Sequence, residues 1–271
     1  MAKLLRANFA RMWKSKSFWV CGIILFAFSA LNYLFDFFTD SCVPIEFYFF
    51  KLSNIMLLAV VFIALYLGAD HSFGTMRNKI TSGHTRVEIY FSNLIVCLCA
   101  TVMMIVFYCA PPLLLGLITG GSFGMEGNEF LLYSAVSLAA CMAITAICVL
   151  IAMLITSRSL ISTISILAFF VLVIAASVII SILGQPEYVQ SMEATSDGGF
   201  TQAEEVKNPN YVYGAKREIL TAVNDVLPTG QLIQIETGQP HNAQFMPLYS
   251  AGVLIAVTAA GAVIFNKKDL K

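Results

Sequence analysis

The residues best placed to do chemistry lie between two apolar runs, in the segment Asp70-His71-Ser72-Phe73-Gly74-Thr75-Met76-Arg77-Asn78-Lys79-Ile80-Thr81-Ser82-Gly83-His84-Thr85-Arg86-Val87-Glu88. Acids, bases and two His so close together could serve acid–base, metal or recognition chemistry. Spacing argues against the first two. His71, His84 and His241 are far apart in sequence, and no His-Glu-x-x-His pair exists. His71 and His84 therefore read as plain loop residues. Glu204-Glu205 has no His or Arg suitably placed beside it and reads as a solvated charge run. No Gly-x-x-x-x-Gly-Lys-Ser/Thr phosphate loop and no Gly-x-Ser-x-Gly elbow occur, so ATP binding and serine hydrolysis by those routes are excluded. The chain is expected to be no enzyme, with no catalytic, cofactor or metal site of its own. Recognition remains. Thr75 can cap a short helix that Gly83 ends, and Thr85 with Glu88 has capping-box spacing. Such a punctuated helix carrying Arg77 and Lys79 suits docking; a solvated connector is the other reading.

The elements that hold this segment are apolar. Of 271 residues 58% are hydrophobic and 12% charged, with a mean hydropathy of +0.80. A soluble domain is about 25% charged, so the composition requires a polytopic membrane protein. Uncharged runs cover Ser17–Phe35, Leu52–Ala69, Ile89–Met125, Phe130–Ser157, Ser159–Pro186 and Asn242–Asn266. A spanning helix needs about 20 apolar residues, so each run holds one. The expected fold is all-α, with six transmembrane helices at about 17–37, 52–69, 88–118, 130–156, 159–184 and 246–266. Pro111-Pro112 should bend the third. Ser134, Ser137, Thr145, Ser162, Thr163 and Ser165 are expected at helix contacts.

The net charge of zero hides an asymmetry. With the amino end inside, the inner segments hold twelve bases against Asp70, Glu88 and Asp269, or +9, and the outer ones four bases against thirteen acids, or −9. Lys and Arg collect in cytoplasmic loops. A multi-pass protein of the cell membrane with both termini cytoplasmic is expected, with 70–88 an inner loop parallel to the membrane. The basic, then apolar, amino end is longer than a signal peptide and reads as retained. Six of seven Cys (Cys21, Cys97, Cys99, Cys109, Cys141 and Cys148) lie in apolar runs and read as small buried residues; Cys42 lies in a loop.

Two further segments are expected to be amphipathic. Residues 2–16 form an interfacial helix with Leu5, Phe9, Met12 and Trp13 on one side and Lys3, Arg6 and Lys14 on the other. The outer segment 185–245, between spans five and six, is the one long polar stretch. Glu193–Pro209 has a mobile composition. Ala215–Leu227 carries an apolar stripe of Ile219, Leu220, Val223, Val226 and Leu227, expected on the outer membrane face or on neighbouring spans. A piece around Leu232–Ile235 is expected to dip between the last two spans.

Three stretches resemble the ABC type-2 permeases, the membrane subunits of ATP-driven exporters, and most of all the small bacterial permeases of bacitracin and lantibiotic export. They are the loop from Gly68 to Arg86, the outer pieces Asn208–Val212 and Leu227–Gln231, and the end from Ala262 to Leu270. The likeness covers essentially all of 1–271 as a single permease domain. Asp70 stands where many relatives have Glu. The resemblance implies a separate ABC ATPase subunit that binds ATP, a second permease subunit (alike or different), and the lipid bilayer as partners, with no nucleic acid. It makes Asp70, Gly74, Thr75, Arg77, Lys79, Gly83 and Arg86 the coupling residues toward that ATPase. A membrane immunity or sensor component that holds a partner protein is the alternative. Uphill transport needs a driving force, and no ionisable residue stands near the middle of any span to relay ions.

Overall fold

The structure is a computed structural model and describes residues 1–39, 44–72, 75–194 and 200–267. Short α1 (Ala2–Lys14) meets the first long helix, α2 (Lys16–Phe38), at Ser15, whose extended backbone (φ −72°, ψ 121°) breaks the helix. A one-turn helix α3 (Ile45–Phe50) leads into α4 (Leu52–Ser72). The short α5 (Thr75–Thr81) joins α4 to α6 (Arg86–Thr119). Then come α7 (Gly127–Leu154) and α8 (Arg158–Leu183). A hairpin of β1 (Tyr188–Ala194) and β2 (Phe200–Lys207) and helices α9 (Ala215–Val226) and α10 (Pro228–Glu236) precede α11 (Met246–Lys267).

Among the described residues, six helices are long and apolar enough to cross a membrane: Lys16–Phe38, Ile45–His71, Arg86–Thr119, Gly127–Leu154, Arg158–Leu183 and Met246–Lys267. This is the architecture of a multi-pass membrane protein. The second apolar stretch begins at Ile45, earlier than hydropathy alone placed it, because α3 and α4 adjoin at Lys51 and Glu46 is buried with one carboxylate oxygen bonded. Its Oε1 accepts from the Gly124 backbone N–H at 2.7 Å. At about 1.5 Å per residue, α6 is about 51 Å long and outreaches a hydrocarbon core of about 30 Å. It runs on through the buried Pro111 and Pro112.

Helices α4 and α7 fill the centre, whereas α8 and α11 leave most of their apolar windows uncovered. Large exposed side chains on α8 include Leu167, Val171, Ile174 and Val178. A soluble protein could not present such a surface; lipid or another apolar protein face must cover it. The sequence-predicted helix contacts divide accordingly. Ser137, Thr145 and Ser165 are buried, and Thr101 and Thr145 join hydroxyls at 2.8 Å between α6 and α7. Thr163 faces outward. Cys21, Cys97, Cys141 and Cys148 are buried free thiols, and Cys99 and Cys109 are half-buried; Cys42 lies outside the described residues.

The segment after α8 departs from an all-helical reading. Tyr188 pairs with Lys207 and Val189 with Val206 in an antiparallel hairpin, where a mobile stretch was expected. β-Branched and aromatic residues at the base favour strand geometry. Asn208 closes it, donating its backbone N–H to the Glu187 carbonyl and its Nδ2 to the Pro186 carbonyl, both at 2.9 Å. Helix α10 is buried nearly throughout. It packs chiefly against α7 and α8 and bonds the start of α11 through Gln231. On α9, which packs on α8 and α11 through its other side, Ile219 (62% exposed), Val223 and Val226 of the apolar stripe face out, as the membrane-face alternative requires, while Asn224 and Asp225 face in.

Candidate functional site

Thr85 and Glu88 form the expected capping box: Thr85 Oγ1 accepts from the Glu88 backbone N–H at 3.2 Å, and the Glu88 carboxylate accepts from the Thr85 N–H at 3.1 Å. This fixes where α6 starts. Gly83 takes φ +86°, a left-handed conformation that glycine adopts without strain, and ends the short α5. A tight seven-residue helix is therefore held between the ends of α4 and α6. Arg86 reaches the Asn266 carbonyl at 3.4 Å, bringing the end of α11 to the same place.

Asp70 organises this end of the molecule. Its side chain is wholly buried. Oδ1 accepts from Thr75 Oγ1 at 2.6 Å, and Oδ2 from Lys79 Nζ at 2.9 Å. The Arg11 guanidinium pairs with the same carboxylate. Three elements thus converge on one carboxylate: α4 provides it, α5 binds it twice and α1 once. A buried charge is tolerated only when paired and hydrogen-bonded, and this one is both. Because Arg11 already balances Asp70, Lys79 is a second cation in a nearly dry place. Burial, and next the Arg11 charge, push its ammonium down to about 7.

Helix α1 is seated by more than this pair. Asn8 is buried and donates to Ser92 Oγ at 2.8 Å and Asn93 Oδ1 at 3.0 Å on α6. The Asn8 carbonyl accepts from Tyr66 on α4 at 2.9 Å, and Arg11 lies 4.1 Å over the Tyr66 ring. The buried row of α1 is Leu4, Asn8 and Met12, with Leu5 and Phe9 half-buried against the core. Trp13 is 43% exposed and stands edge-on to Phe18. Hydrophobic clustering placed Leu5, Phe9, Met12 and Trp13 together; it missed Asn8. The four-residue spacing of Leu4, Asn8 and Met12 was the available signal.

The sequence-predicted coupling residues fall into two groups. Asp70, Thr75 and Lys79 are drawn together. Gly83 and Arg86 flank them without touching Asp70. Gly74 lies outside the described residues, as does the Arg77 side chain. Lys79 turns inward (13% exposed) and Met76 is in the core; among the described side chains Asn78 and Thr81 on α5, and Ser82 just after it, are exposed. His71 Nε2 lies 3.0 Å from the Ala152 carbonyl on α7, a structural contact.

A second polar cluster stands at the opposite end. Asp225 on α9 is 3% exposed, and its carboxylate accepts from Gln234 Nε2 at 3.2 Å and Asn242 Nδ2 at 3.0 Å. Gln231 on α10 donates to the Asp225 and Met246 carbonyls at 2.7 and 3.0 Å and accepts from Ser250 at 2.7 Å. Sequence reading missed Asn224, Asp225, Gln231 and Gln234 as interior groups, because nothing local marks a polar face as the buried one. No protein-family model matches this chain, and no curated protein matches it significantly.

Proposed function

We propose that this chain is the membrane-spanning permease subunit of an ATP-driven exporter of the ABC type-2 class. In this reading two permease subunits form the pathway, and a separate ATPase docks on α5 from the cytoplasm. The observation that carries it is the triple attachment at Asp70. A seven-residue helix at the end of the bundle is tied by a buried carboxylate to α4, a central span, and through the same carboxylate to α1. A push on α5 cannot be absorbed by a loose loop; it must either break these bonds or move α4 and α1. That is the property a mechanical coupling element needs.

Three further facts support the reading. The +9 against −9 asymmetry supports a cytoplasmic α5 end. The uncovered faces of α8 and α11 leave apolar surface for lipid and a second subunit. The absence of a phosphate loop in the sequence fits ATP acting on a separate subunit. A conformational change needs contacts that differ between states, and the Asp70 bonds are suited to differ. Lys79 acts here as an internal strut; Arg77 and the exposed Asn78, Thr81 and Ser82 are the contacts offered to the ATPase.

Purification of the chain in mild detergent, together with the products of neighbouring genes, tests this. A phosphate-loop ATPase should copurify, and Arg77→Glu combined with Ser82→Arg should release it while membrane insertion is unchanged. Uphill transport by the chain alone, driven by an imposed ion gradient, contradicts the proposal.

A further inference from the structure

A cavity of about 310 Å³ opens beside the Asp70 cluster, where three spans meet the end of the bundle. Its walls are the last turns of α4, the junction of α1 with α2, and the first residue of α8. The charged side chains around it are unbalanced: Arg11, Lys14 and Arg158 against Asp70 alone. Asp70 is already engaged by Arg11 and Lys79. Lys14 and Arg158 have no acidic partner among the described residues, and Nε and Nη2 of Arg11 have no hydrogen-bond acceptor. Ser15 and Ser17 add hydroxyls, and Leu65 and Tyr66 an apolar wall. Arg158 is held there by close packing: a Cβ on Gly68 would meet the Arg158 Cγ at 3.0 Å, so glycine on α4 admits the arginine stem.

We infer that this cavity binds a phosphate group, and that the phosphate is the headgroup of an anionic lipid in the leaflet facing α5. Guanidinium, ammonium and hydroxyl donors lining one cavity match phosphate oxygens. The depth points to lipid: Ser17 and Arg158 sit at the first turns of α2 and α8, where apolar helix gives way to polar chain. The Leu65–Tyr66 wall would take the glycerol and the start of the acyl chains. The bound lipid would bridge α1, α4 and α8 beside the proposed coupling helix, so lipid charge would tune that element. Only the choice of leaflet rests on the proposed orientation; the cavity's chemistry does not depend on any ATPase.

Native mass spectrometry of the purified full chain in detergent tests the site, with phosphatidylglycerol, phosphatidylcholine or inorganic phosphate as added probe. Phosphatidylglycerol should be retained over phosphatidylcholine, and K14Q/R158Q should weaken its binding about thirtyfold, at the usual effect of two juxtamembrane cations. R158K should keep most of it. K3Q/R6Q removes two exposed charges from the same α1 helix away from the cavity and should change binding less than about threefold. The same variant pattern with inorganic phosphate, and no lipid preference, supports the phosphate site with a soluble source. Equal losses in K14Q/R158Q and K3Q/R6Q, or none in either, overturn the site. Unchanged thermal unfolding of the lipid-free K14Q/R158Q protein separates lost binding from lost folding.

Discussion

Asp70 and Asp225 are buried at opposite ends of this molecule, and they are satisfied in opposite ways. Asp70 is met by cations, Arg11 and Lys79, from α1 and α5. Asp225 is met by the neutral amides of Gln234 and Asn242, with Gln231 binding the adjoining backbone. The first arrangement joins three elements distant in sequence through one charged centre; the second stitches neighbouring elements together through many small bonds. Charge in a dry site is an all-or-none fastening, because removing one partner strands the others. Neutral bonds are individually modest and fail one at a time. The end that is proposed to receive mechanical force carries the fastening whose making and breaking is worth most.

Asp70→Ala is expected to have the largest effect. It strands Arg11 and Lys79 and should cost about 3–5 kcal/mol, the usual result of removing one partner of a buried pair. A large fall in the melting temperature in detergent should accompany faster proteolysis near α1 and α5. If Asp70→Ala melts like the parent, the buried pair does not hold this end together.

Much of the architecture was legible in the sequence, and the reason is physical. A membrane span must be apolar along its whole length, so each of the six runs announces itself locally. Helix punctuation at Thr85, Glu88 and Gly83 is equally local and could be read from spacing. The clusters could not. Asp70 and Arg11 are brought together by packing of α1 on the bundle, and no periodicity links residues that far apart. The inward turn of Lys79 follows from Asp70, so pattern alone made Lys79 a surface contact. On α9 the apolar stripe was readable by its spacing, whereas the burial of Asn224 and Asp225 on the other side was not. The hairpin was obscured by the polar composition around Glu193–Pro209.

Gln231→Ala gives the contrasting measurement at the other end. It leaves the Asp225 and Met246 carbonyls and the Ser250 hydroxyl short of a partner and should cost about 1–3 kcal/mol. The effect should stay local to α10 and the start of α11 in hydrogen exchange. A loss as large as that of Asp70→Ala, or one that spreads to α5, would erase the distinction between the two ends.

A smaller, pH-dependent effect sharpens the comparison. The Lys79 ammonium is held near 7 in the folded protein, against about 10.5 when unfolded. Between these values the unfolded chain binds a proton that the folded chain has released, so stability rises with pH across that window. Lys79→Met should flatten the rise in melting temperature between pH 7 and 9, and no comparable change should follow from Gln231→Ala. A rise of the same slope in Lys79→Met assigns it to other groups.

Site-specific photocrosslinking in intact cells reports directly on whether an ATPase docks at α5. A photoreactive residue at Ser82, exposed at the end of α5, is compared with one at Lys216, exposed on α9. An adduct between Ser82 and a phosphate-loop ATPase, identified by mass spectrometry, is expected, and none from Lys216. An ATPase adduct from Lys216, or none from Ser82 while the chain is inserted and folded, would contradict docking at α5.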